Sequence, residues 1–405
     1  MARFETIRLI LSLAAQSGWV VYQFDVKSAF LNGVLEEEVY VEQPLGFIVK
    51  GSEEKVYRLH KALYGLKQAP RAWYSRIDGY LVSHGYNRSM NEPTMYTKEG
   101  KGTDFIVICV YVDDIIYTGS SQVLIEEFKK TMVDEFDMTY IGKLQYFLGL
   151  EVDQKGNGIF LSQRKYAIDL LKKFCILTCK AAVTPMNAND KFVLEDGSDL
   201  MDEYRYRSLV GGLMYLTHTR PDIGFAVGII SRFMHKPTVL HFGAAKRILR
   251  YIAGSVGYDL WYEMKNASVF FIGSGVVSWS SKKQAVVALS TTEAEYVSAA
   301  AGACQTVLLR KMLQKLKIDQ KEPTTIWCDN RSAVFMINNQ AFHSRTKHIS
   351  IKFHYNRSLL DSGEIQVKSC DTKGQVADIF TKALGAEKFL FFRTQLGLCD
   401  RETLN

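Results

Sequence analysis

An apolar run interrupted by two adjacent acids constrains the fold of this chain more than any other stretch. Residues 105–119 read Phe-Ile-Val-Ile-Cys-Val-Tyr-Val-Asp-Asp-Ile-Ile-Tyr-Thr-Gly, which is typical of a buried β-hairpin with Asp113 and Asp114 at its tip. No Gly or Asn stands beside the acids to ease the turn. Two adjacent carboxylates repel each other unless a cation lies between them, and hard divalent ions prefer such oxygen ligands. The stretch therefore indicates either a polar turn or a metal site.

The length and composition favour a globular protein of two or three domains. The chain has 405 residues, of which 47% are hydrophobic and 23% charged, as is usual for globular proteins. The formal net charge of +7 permits a polyanionic partner such as nucleic acid without requiring one. No apolar stretch approaches the roughly 20 residues that span a bilayer, so we expect no membrane partner.

The cysteines and the first residues add two expectations. The 7 Cys residues contain no Cys-x-x-Cys pair, and Cys175 and Cys179 have no histidine pair nearby to complete a zinc site. We therefore expect buried free thiols in a reducing compartment. The apolar residues between 7 and 14 follow helix spacing, and nothing before them supplies an N-cap. We expect a helix there, in a chain cut from a longer protein.

A third acid stands at the end of another predicted strand. Asp25 follows the apolar run of residues 19–24, where the pattern changes to that of a turn. A lone Asp in this position is usually a cap. If its strand lay beside that of Asp113 and Asp114, the three carboxylates would suit two divalent ions about 3.5–4 Å apart, as in phosphoryl-transfer sites.

Residues 61–74 combine a Gly turn, a Pro at a predicted helix start and interleaved basic and aromatic residues. They read Lys-Ala-Leu-Tyr-Gly-Leu-Lys-Gln-Ala-Pro-Arg-Ala-Trp-Tyr. Side chains such as Arg71 could contact phosphates while the rings stack on bases, although a helix with snorkelling basic residues has the same composition.

Three motifs together resemble one family. They are Phe-Asp-Val-Lys-Ser-Ala-Phe-Leu-Asn-Gly at 24–33, the motif at 62–74 and Tyr-Val-Asp-Asp-Ile at 111–115. In order and spacing they resemble the polymerase motifs of copia-type LTR retrotransposon reverse transcriptases. The resemblance implies a right-hand polymerase palm in which Asp25, Asp113 and Asp114 hold two Mg²⁺ ions.

The same resemblance implies a nucleotide-binding site. Phe30 matches an aromatic that packs under the incoming sugar and disfavours a ribose 2′-hydroxyl, with ordinary core packing as the alternative. Gly65 and Gln68 match the segment that lies over the template base and the nucleotide.

A second set of motifs lies near the C-terminus. Ser-Trp-Ser-Ser-Lys-Lys-Gln at 278–284, Cys-Asp-Asn at 328–330, Arg-Thr-Lys-His-Ile at 345–349 and Ala-Asp-Ile-Phe-Thr-Lys at 377–382 resemble the copia-type ribonuclease H domain. That domain cuts the RNA strand of an RNA–DNA hybrid with two metals held by four carboxylates. Glu295 best matches the helix acid, with Glu293 as the alternate, and Asp329 and Asp378 match two later acids. Taken alone, acids in such positions are more often helix caps.

The basic loop within these motifs has two readings. The resemblance would place Arg345, Lys347 and His348 near the phosphates of the hybrid. A solvated charge run uses the same residues, so both interpretations stay open.

The predicted architecture is a multidomain α+β and α/β protein. We expect a reverse transcriptase palm with incomplete fingers at 1–165 and a helical thumb and connection at 166–261. We expect an incomplete ribonuclease H-like α/β domain, without its acidic central strand, at 262–405. The polar stretch 184–202 is predicted to be a linker.

The chain departs from the family pattern at two places. The family's fingers, whose basic residues grip the triphosphate, precede the segment matched by residues 3–8, so we expect impaired polymerase activity. The family's acidic central strand precedes the segment matched by residues 269–275, yet residues 264–268 lead straight into that segment. We expect the nuclease metal site to be defective for lack of this acid.

The sequence thus predicts a fragment of a retrotransposon RNA-directed DNA polymerase with ribonuclease H. Expected partners are an RNA template, a DNA primer, the RNA–DNA hybrid and deoxynucleoside triphosphates, and the expected location is a cytoplasmic particle, with the nucleus as the alternative. A catalytically silent nucleic-acid-binding remnant is the second hypothesis. An unrelated metal-dependent hydrolase is the third.

Overall fold

The structure is a computed structural model that describes residues 3–263, 271–272, 275–281, 284, 288–318, 320–339 and 355–404. The chain forms two compact units. The first comprises Met1–Ile7 and Trp19–Leu144, and the second comprises Arg8–Gly18 and Gln145–Asn405. The predicted first helix is confirmed as α1 (Phe4–Ser17). The domain boundaries near 165 and 261 stay predictions.

The first unit is built on a six-stranded antiparallel sheet. Its strands are β1 (Tyr22–Val26), β4 (Asn87–Arg88), β5 (Met95–Glu99), β6 (Phe105–Tyr111), β7 (Asp114–Gly119) and β8 (Met138–Lys143). Their order is β4-β5-β6-β7-β1-β8, so the predicted hairpin β6–β7 lies in the middle of the sheet. A separate antiparallel pair is formed by β2 (Val34–Val41) and β3 (Tyr57–Lys61).

Two helices, α2 (Ala69–Ser83) and α3 (Gln122–Glu135), build the core of the first unit together with one face of this sheet. Alternate strand residues point to that face, as the two-residue period of a strand requires. The rings of Phe24 and Tyr117 stack at 5.1 Å, and Phe128 of α3 packs edge-on against both. Burial of these large rings supplies much of the hydrophobic stabilisation of the unit.

The second unit contains a five-stranded antiparallel sheet. Its strands are β9 (Tyr146–Phe147), β10 (Leu150–Lys155), β11 (Gly158–Ser162), β12 (Tyr258–Glu263) and β17 (Leu398–Asp400), in the order β17-β12-β11-β10-β9. Helices between β11 and β12 are α4 (Arg164–Lys173), α5 (Glu203–Leu216), α6 (Gly224–Ile230) and α7 (Val239–Ala253). The prediction of a helical region after residue 165 is confirmed.

A buried ion pair lies in the turn that follows α5. Arg220 donates through Nε and Nη2 to the two carboxylate oxygens of Asp222 at 3.0 and 2.8 Å, and through Nη1 to the carbonyl of Ser255 at 2.8 Å. Both charged side chains are fully buried, so each satisfies the other's hydrogen-bonding groups. The pair connects the turn after α5 to the end of α7.

The predicted linker has no helix or strand of its own, yet it is tied to α7. Thr238 Oγ1 donates to the Asp196 carboxylate at 2.6 Å, and His241 Nε2 lies 3.1 Å from the carbonyl oxygen of Val193. The stretch therefore packs on the helical region as a fixed segment.

The remaining elements of the second unit alternate as the sequence predicts for an α/β layer. They are β13 (Phe271–Ile272), β14 (Gly275–Val276), α8 (Thr291–Lys315), β15 (Thr324–Cys328), α9 (Arg331–Asn338), α10 (Tyr355–Asp361), β16 (Ile365–Ser369) and α11 (Ala386–Gln395). Strands β15 and β16 are parallel, and α8 and α9 pack against them around a common apolar core.

Two further expectations from the sequence concern the cysteines and membrane-spanning helices. All seven cysteines are free, as predicted, but only Cys109 and Cys328 are buried. The prediction of buried thiols is wrong for the other five, of which Cys175 and Cys304 are exposed. Cys175 follows the end of α4 with a positive φ of 56°, in a turn rather than in a core. Among the described residues, no helix is both long and apolar enough to cross a bilayer.

Candidate active site

Asp25 and Asp114 are brought together by the pairing of β1 with β7. They are direct partners in this antiparallel pair, so both side chains lie on one face of the sheet. That face is opposite to the one that carries Phe24 and the aromatic core. Gln23, two residues before Asp25, lies on the same face and its Nε2 donates to Asp114 Oδ1 at 2.8 Å.

The turn of the hairpin consists of Val112 and Asp113. Strand β6 ends with Tyr111, which pairs with Asp114, the first residue of β7. Val112 has a φ of 55°, a conformation that β-branched residues rarely adopt and that costs on the order of 1–3 kcal/mol. The sequence expectation of a turn without the usual turn residues is confirmed, and the strain lies beside the acids.

Hydrogen bonds from two neighbouring elements hold this turn. The backbone N–H of Val26 donates to the carbonyl of Asp113 at 2.8 Å, and the indole Nε1 of Trp73 donates to the carbonyl of Val112 at 2.5 Å. Trp73 is buried in helix α2, where its ring packs edge-on against Phe136. Sequence reasoning assigned no role to Gln23 or Trp73 at this site, and only the aromatic content of residues 61–74 pointed towards the second.

The pKa of Asp114 depends on its burial and on the neighbouring acids. Burial raises the pKa of Asp114, the hydrogen bond from Gln23 lowers it, and the negative charges of Asp113 and Asp25 raise it further. Within the described part of the chain, no Lys or Arg forms an ion pair with any of the three acids. The cluster therefore carries negative charge that the protein itself does not compensate.

The donor set and charge of this cluster fit hard divalent cations, but the side chains do not converge as they stand. Over the described ranges, no three His, Cys, Asp or Glu residues are grouped so as to hold a metal ion. Asp113 is exposed on the turn, so its carboxylate can rotate without disturbing the core. Metal binding would require that rotation.

Phe30 lies in a segment that packs on helix α2 through a close approach of backbones. It belongs to a 3₁₀ helix, Ala29–Asn32, which is followed by Gly33. A Cβ atom at Gly33 would lie 2.7 Å from the carbonyl carbon of Ala72 and 2.7 Å from the backbone nitrogen of Trp73, so only glycine lets this segment pack on helix α2. The ring of Phe30 is partly buried against the core of the first unit, which also satisfies the core-packing alternative.

A second ring faces Phe30 from the turn before α2. The ring centroid of Tyr64 lies 5.9 Å from that of Phe30, and Tyr64 is 92% exposed. Gly65 follows with a φ of 95°, and Gln68 is the N-cap residue of α2 although its side chain makes no capping bond. The structure thus brings Phe30 close to the segment that contains Gly65 and Gln68. Tyr64 is one of the rings of residues 61–74, to which the sequence assigned no individual role, and here it contacts Phe30.

The acids matched to the nuclease also approach one another. Glu295 lies in α8, Asp329 directly follows β15 and Asp378 lies in a 3₁₀ helix, Val376–Phe380. Burial raises the pKa of Glu295, and the charges of Asp329 and Asp378 raise it further. The alternate, Glu293, accepts a hydrogen bond from the N–H of Leu289 at 2.7 Å in the first turn of α8, as a capping residue does. These contacts favour Glu295 over Glu293 as the member of the cluster.

Asp378 differs from the acids of the first unit in having basic partners. Its Oδ1 pairs with Lys382 at 2.9 Å and its Oδ2 with Lys388 at 2.8 Å. Its side chain is only 7% exposed.

Two sets of predicted residues cannot be placed. Arg345, Lys347 and His348 lie outside the described residues, as does the stretch 264–270, where the acidic strand was expected to be missing. Arg71 is described, and it lies exposed on α2.

Comparison with known proteins defines the class to which this fold and site belong. Residues 1–188 match the family described as reverse transcriptase (RNA-dependent DNA polymerase). A Ty5-1 transposon protein of Saccharomyces cerevisiae is 33% identical over 68% of this chain and 97% of its own length. The chain belongs to the reverse transcriptase family.

Within that family, the chain is similar to Pol polyproteins of copia-type retrotransposons. The chain is 38% identical to the Pol polyprotein from transposon RE2 of Arabidopsis thaliana, over 97% of the chain and 28% of the relative. It is 37% identical to that from transposon TNT 1-94 of Nicotiana tabacum, over 98% of the chain and 32% of the relative. The chain therefore spans about a third or less of these polyproteins. The RE2 alignment covers 416 positions, more than the 405 residues of the chain, so the relative has residues without a counterpart here.

Proposed function

We propose that the first unit is the palm of an RNA-directed DNA polymerase, which adds deoxynucleotides to a DNA primer on an RNA template. Asp25, Asp113 and Asp114 are the proposed catalytic and metal-binding residues. The observation that carries the proposal is the direct pairing of Asp25 with Asp114 beside the Asp113 turn, in a cluster without basic partners among the described residues. Uncompensated carboxylates are what a site for divalent cations requires.

The surrounding residues would position these acids and the substrates. Gln23 orients the Asp114 carboxylate, and Trp73 fixes the backbone of Val112. Two Mg²⁺ ions held by the acids would supply the positive charge that activates the primer 3′-hydroxyl and neutralises the departing pyrophosphate.

Substrate selection would fall to the residues around Phe30. Its ring, under the sugar of the incoming nucleotide, would exclude a ribose 2′-hydroxyl by contact. Gly65 and Gln68 would lie over the template base and the nucleotide, and Arg71 on the exposed face of α2 would contact a phosphate of the nucleic acid.

We propose that the second unit descends from a ribonuclease H module and does not cleave the hybrid. Glu295, Asp329 and Asp378 correspond to three of the four carboxylates implied by the family resemblance. The absence of a counterpart for the fourth in the sequence supports inactivity, and the longer alignment with the RE2 relative is consistent with an internal deletion. Arg345, Lys347 and His348 would then bind phosphates of the hybrid without cleavage.

The second candidate function is nucleic-acid binding without turnover. In the described structure the side chains of Asp25, Asp113 and Asp114 are not arranged to coordinate one metal ion. This arrangement favours binding without catalysis. For either function we propose a location in cytoplasmic particles, with the nucleus as the alternative.

Primer extension by the purified chain, on an RNA template with Mg²⁺, separates the two candidates. We expect incorporation of deoxynucleotides at the impaired level that the sequence predicts, lost in Asp114→Asn and retained in Asp134→Asn, which removes an exposed acid elsewhere in the first unit. No extension by protein that is folded and binds hybrid would overturn the polymerase proposal and leave the binding function. Extension that survives Asp114→Asn would show that these acids are not the catalytic centre.

A further inference from the structure

The carboxylate of Asp378 is held by two lysines, one on each oxygen. Lys382 Nζ lies 2.9 Å from Oδ1 and Lys388 Nζ lies 2.8 Å from Oδ2. Lys388 also donates to the carbonyl of Thr372 at 2.9 Å and lies 5.0 Å from the centre of the Phe392 ring. The ammonium group of Lys388 is therefore fixed by three different partners.

This arrangement is the opposite of that around the polymerase acids. Asp25, Asp113 and Asp114 have no basic partner in the described structure, whereas Asp378 has two and is almost completely buried. Two ammonium groups in contact with a carboxylate cancel its charge and repel a divalent cation that approaches the same oxygens. The aspartates of the first unit therefore keep a negative charge that can attract a metal ion. The negative charge of Asp378 in the second unit is instead balanced by lysines.

The two lysines also connect Asp378 to the rest of the acid cluster and to helix α11. The charge of Lys382 also acts on Glu295, which lies near Asp329. Helix α11, which carries Lys388, packs against the 3₁₀ helix that carries Asp378. The ion pair of Lys388 therefore joins helix α11 to the acid cluster.

We propose that Lys382 and Lys388 stand in for divalent ions, so that Glu295, Asp329 and Asp378 form a metal-free structural centre that does not bind Mg²⁺. The proposal rests on the assignment of these acids to a former nuclease site, and it does not depend on whether the first unit polymerises DNA. The lysine counterions would be a second cause of nuclease inactivity, in addition to the missing acid.

The first test measures Mn²⁺ binding by electron paramagnetic resonance on the full chain. A background variant with Asp25→Asn, Asp113→Asn and Asp114→Asn removes the acids of the first unit. We expect this background to bind no Mn²⁺ at concentrations used in polymerase assays. Stoichiometric Mn²⁺ that disappears when Asp378→Asn is added would overturn the proposal. Primer extension is not measured, so failure of the polymerase proposal would leave this result unaffected.

The second test removes the lysines from the same background. The double variant Lys382→Met and Lys388→Met keeps the length of the side chains and loses both charges. We expect a lower Tm than that of the background, and we expect added Mn²⁺ to raise the Tm of the double variant but not that of the background. Lys311→Met, at an exposed position of α8, controls for loss of a surface charge.

Each result of the second test bears on the proposal. An unchanged Tm in the double variant, or an equal rise with Mn²⁺ in both proteins, would show that the lysines are not the counterions of this cluster. If the double variant does not fold, the Mn²⁺ measurement on the background alone decides the question.

Discussion

The indole Nε1 of Trp73 donates a hydrogen bond to the carbonyl oxygen of Val112 at a distance of 2.5 Å. The bond joins helix α2 to a turn in which Val112 has a positive φ, so a buried side chain stabilises a strained backbone next to two acids. Strain of this kind persists only where the surroundings fix it, and here the indole is one of the fixed points.

Trp73→Phe should therefore damage the site more than the fold. The phenyl ring keeps most of the packing but leaves the Val112 carbonyl without its donor, which should cost about 1 kcal/mol of unfolding free energy. A displacement of the acids by about 1 Å can reduce turnover on the order of 100-fold. The measurements are urea denaturation and the rate of primer extension.

The matched control for that substitution is Tyr80→Phe. Tyr80 also lies in α2, and its hydroxyl donates to the Thr131 carbonyl at 2.9 Å, away from the acids. It should lose similar stability while extension stays near that of the unchanged chain. Equal losses of extension in the two variants would mean that the Val112 bond has no special role.

Asp114→Asn should stabilise the metal-free chain. Because burial and the neighbouring acids raise the pKa of Asp114, the folded state holds its proton more tightly than the unfolded state does. Stability contributed by this group is then present at low pH and is lost as the pH rises through the folded pKa. At neutral pH in EDTA the substitution should add on the order of 1 kcal/mol, while extension is abolished. A lower Tm than that of the unchanged chain would contradict the electrostatic account.

Tyr64→Ala should weaken nucleotide binding and leave the fold intact. The ring is 92% exposed and faces Phe30, so its removal opens no cavity in the core. Loss of one stacking partner should raise the KM for deoxynucleotides about 5- to 100-fold, with a smaller effect on kcat. Tyr40→Ala, at an exposed tyrosine of β2, serves as the control. A KM that is unchanged in steady-state kinetics would remove Tyr64 from the site.

The hairpin and the order of the motifs could be predicted because their signals are local. The apolar runs on either side of the two acids predicted β6 and β7, and the Pro at 70 correctly predicted the start of α2. The position of Asp25 near the end of β1 was also predicted, since an apolar run gives way to polar residues there. The pairing of Asp25 with Asp114 could only be inferred through family resemblance, because spacing in sequence does not determine which strands are neighbours.

The contacts that distinguish the two acid clusters depend on tertiary structure. Gln23 and Trp73 are unremarkable in sequence, and each acts on a residue that folding brings to it. Lys388 lies ten residues beyond Asp378, and nothing in the local pattern indicates that both would reach one buried carboxylate. Sequence reasoning could therefore name the acids but could not tell a cluster that lacks counterions from one that contains them.

The stability of the second unit should fall in mild acid because of one buried histidine. His241 Nδ1 accepts a hydrogen bond from the N–H of Thr238 at 3.0 Å, which caps α7. Burial lowers the pKa of His241, while Asp196 and the carbonyl of Val193 act in the opposite direction. The unfolded chain therefore takes up a proton at a higher pH than the folded chain does. Stability is complete above the ordinary histidine range and is lost as the pH falls through it.

His241→Gln tests this account, because a glutamine can still accept the hydrogen bond from Thr238 but does not titrate. Urea denaturation at pH 7 and pH 5 should show a loss of stability in the unchanged chain of up to about 1.4 kcal/mol per pH unit, and a smaller loss in the variant. His235→Gln, at an exposed histidine in the same unit, should behave like the unchanged chain. If the His241 variant and the unchanged chain lose equal stability between the two pH values, the buried imidazole is not the group that responds to acid.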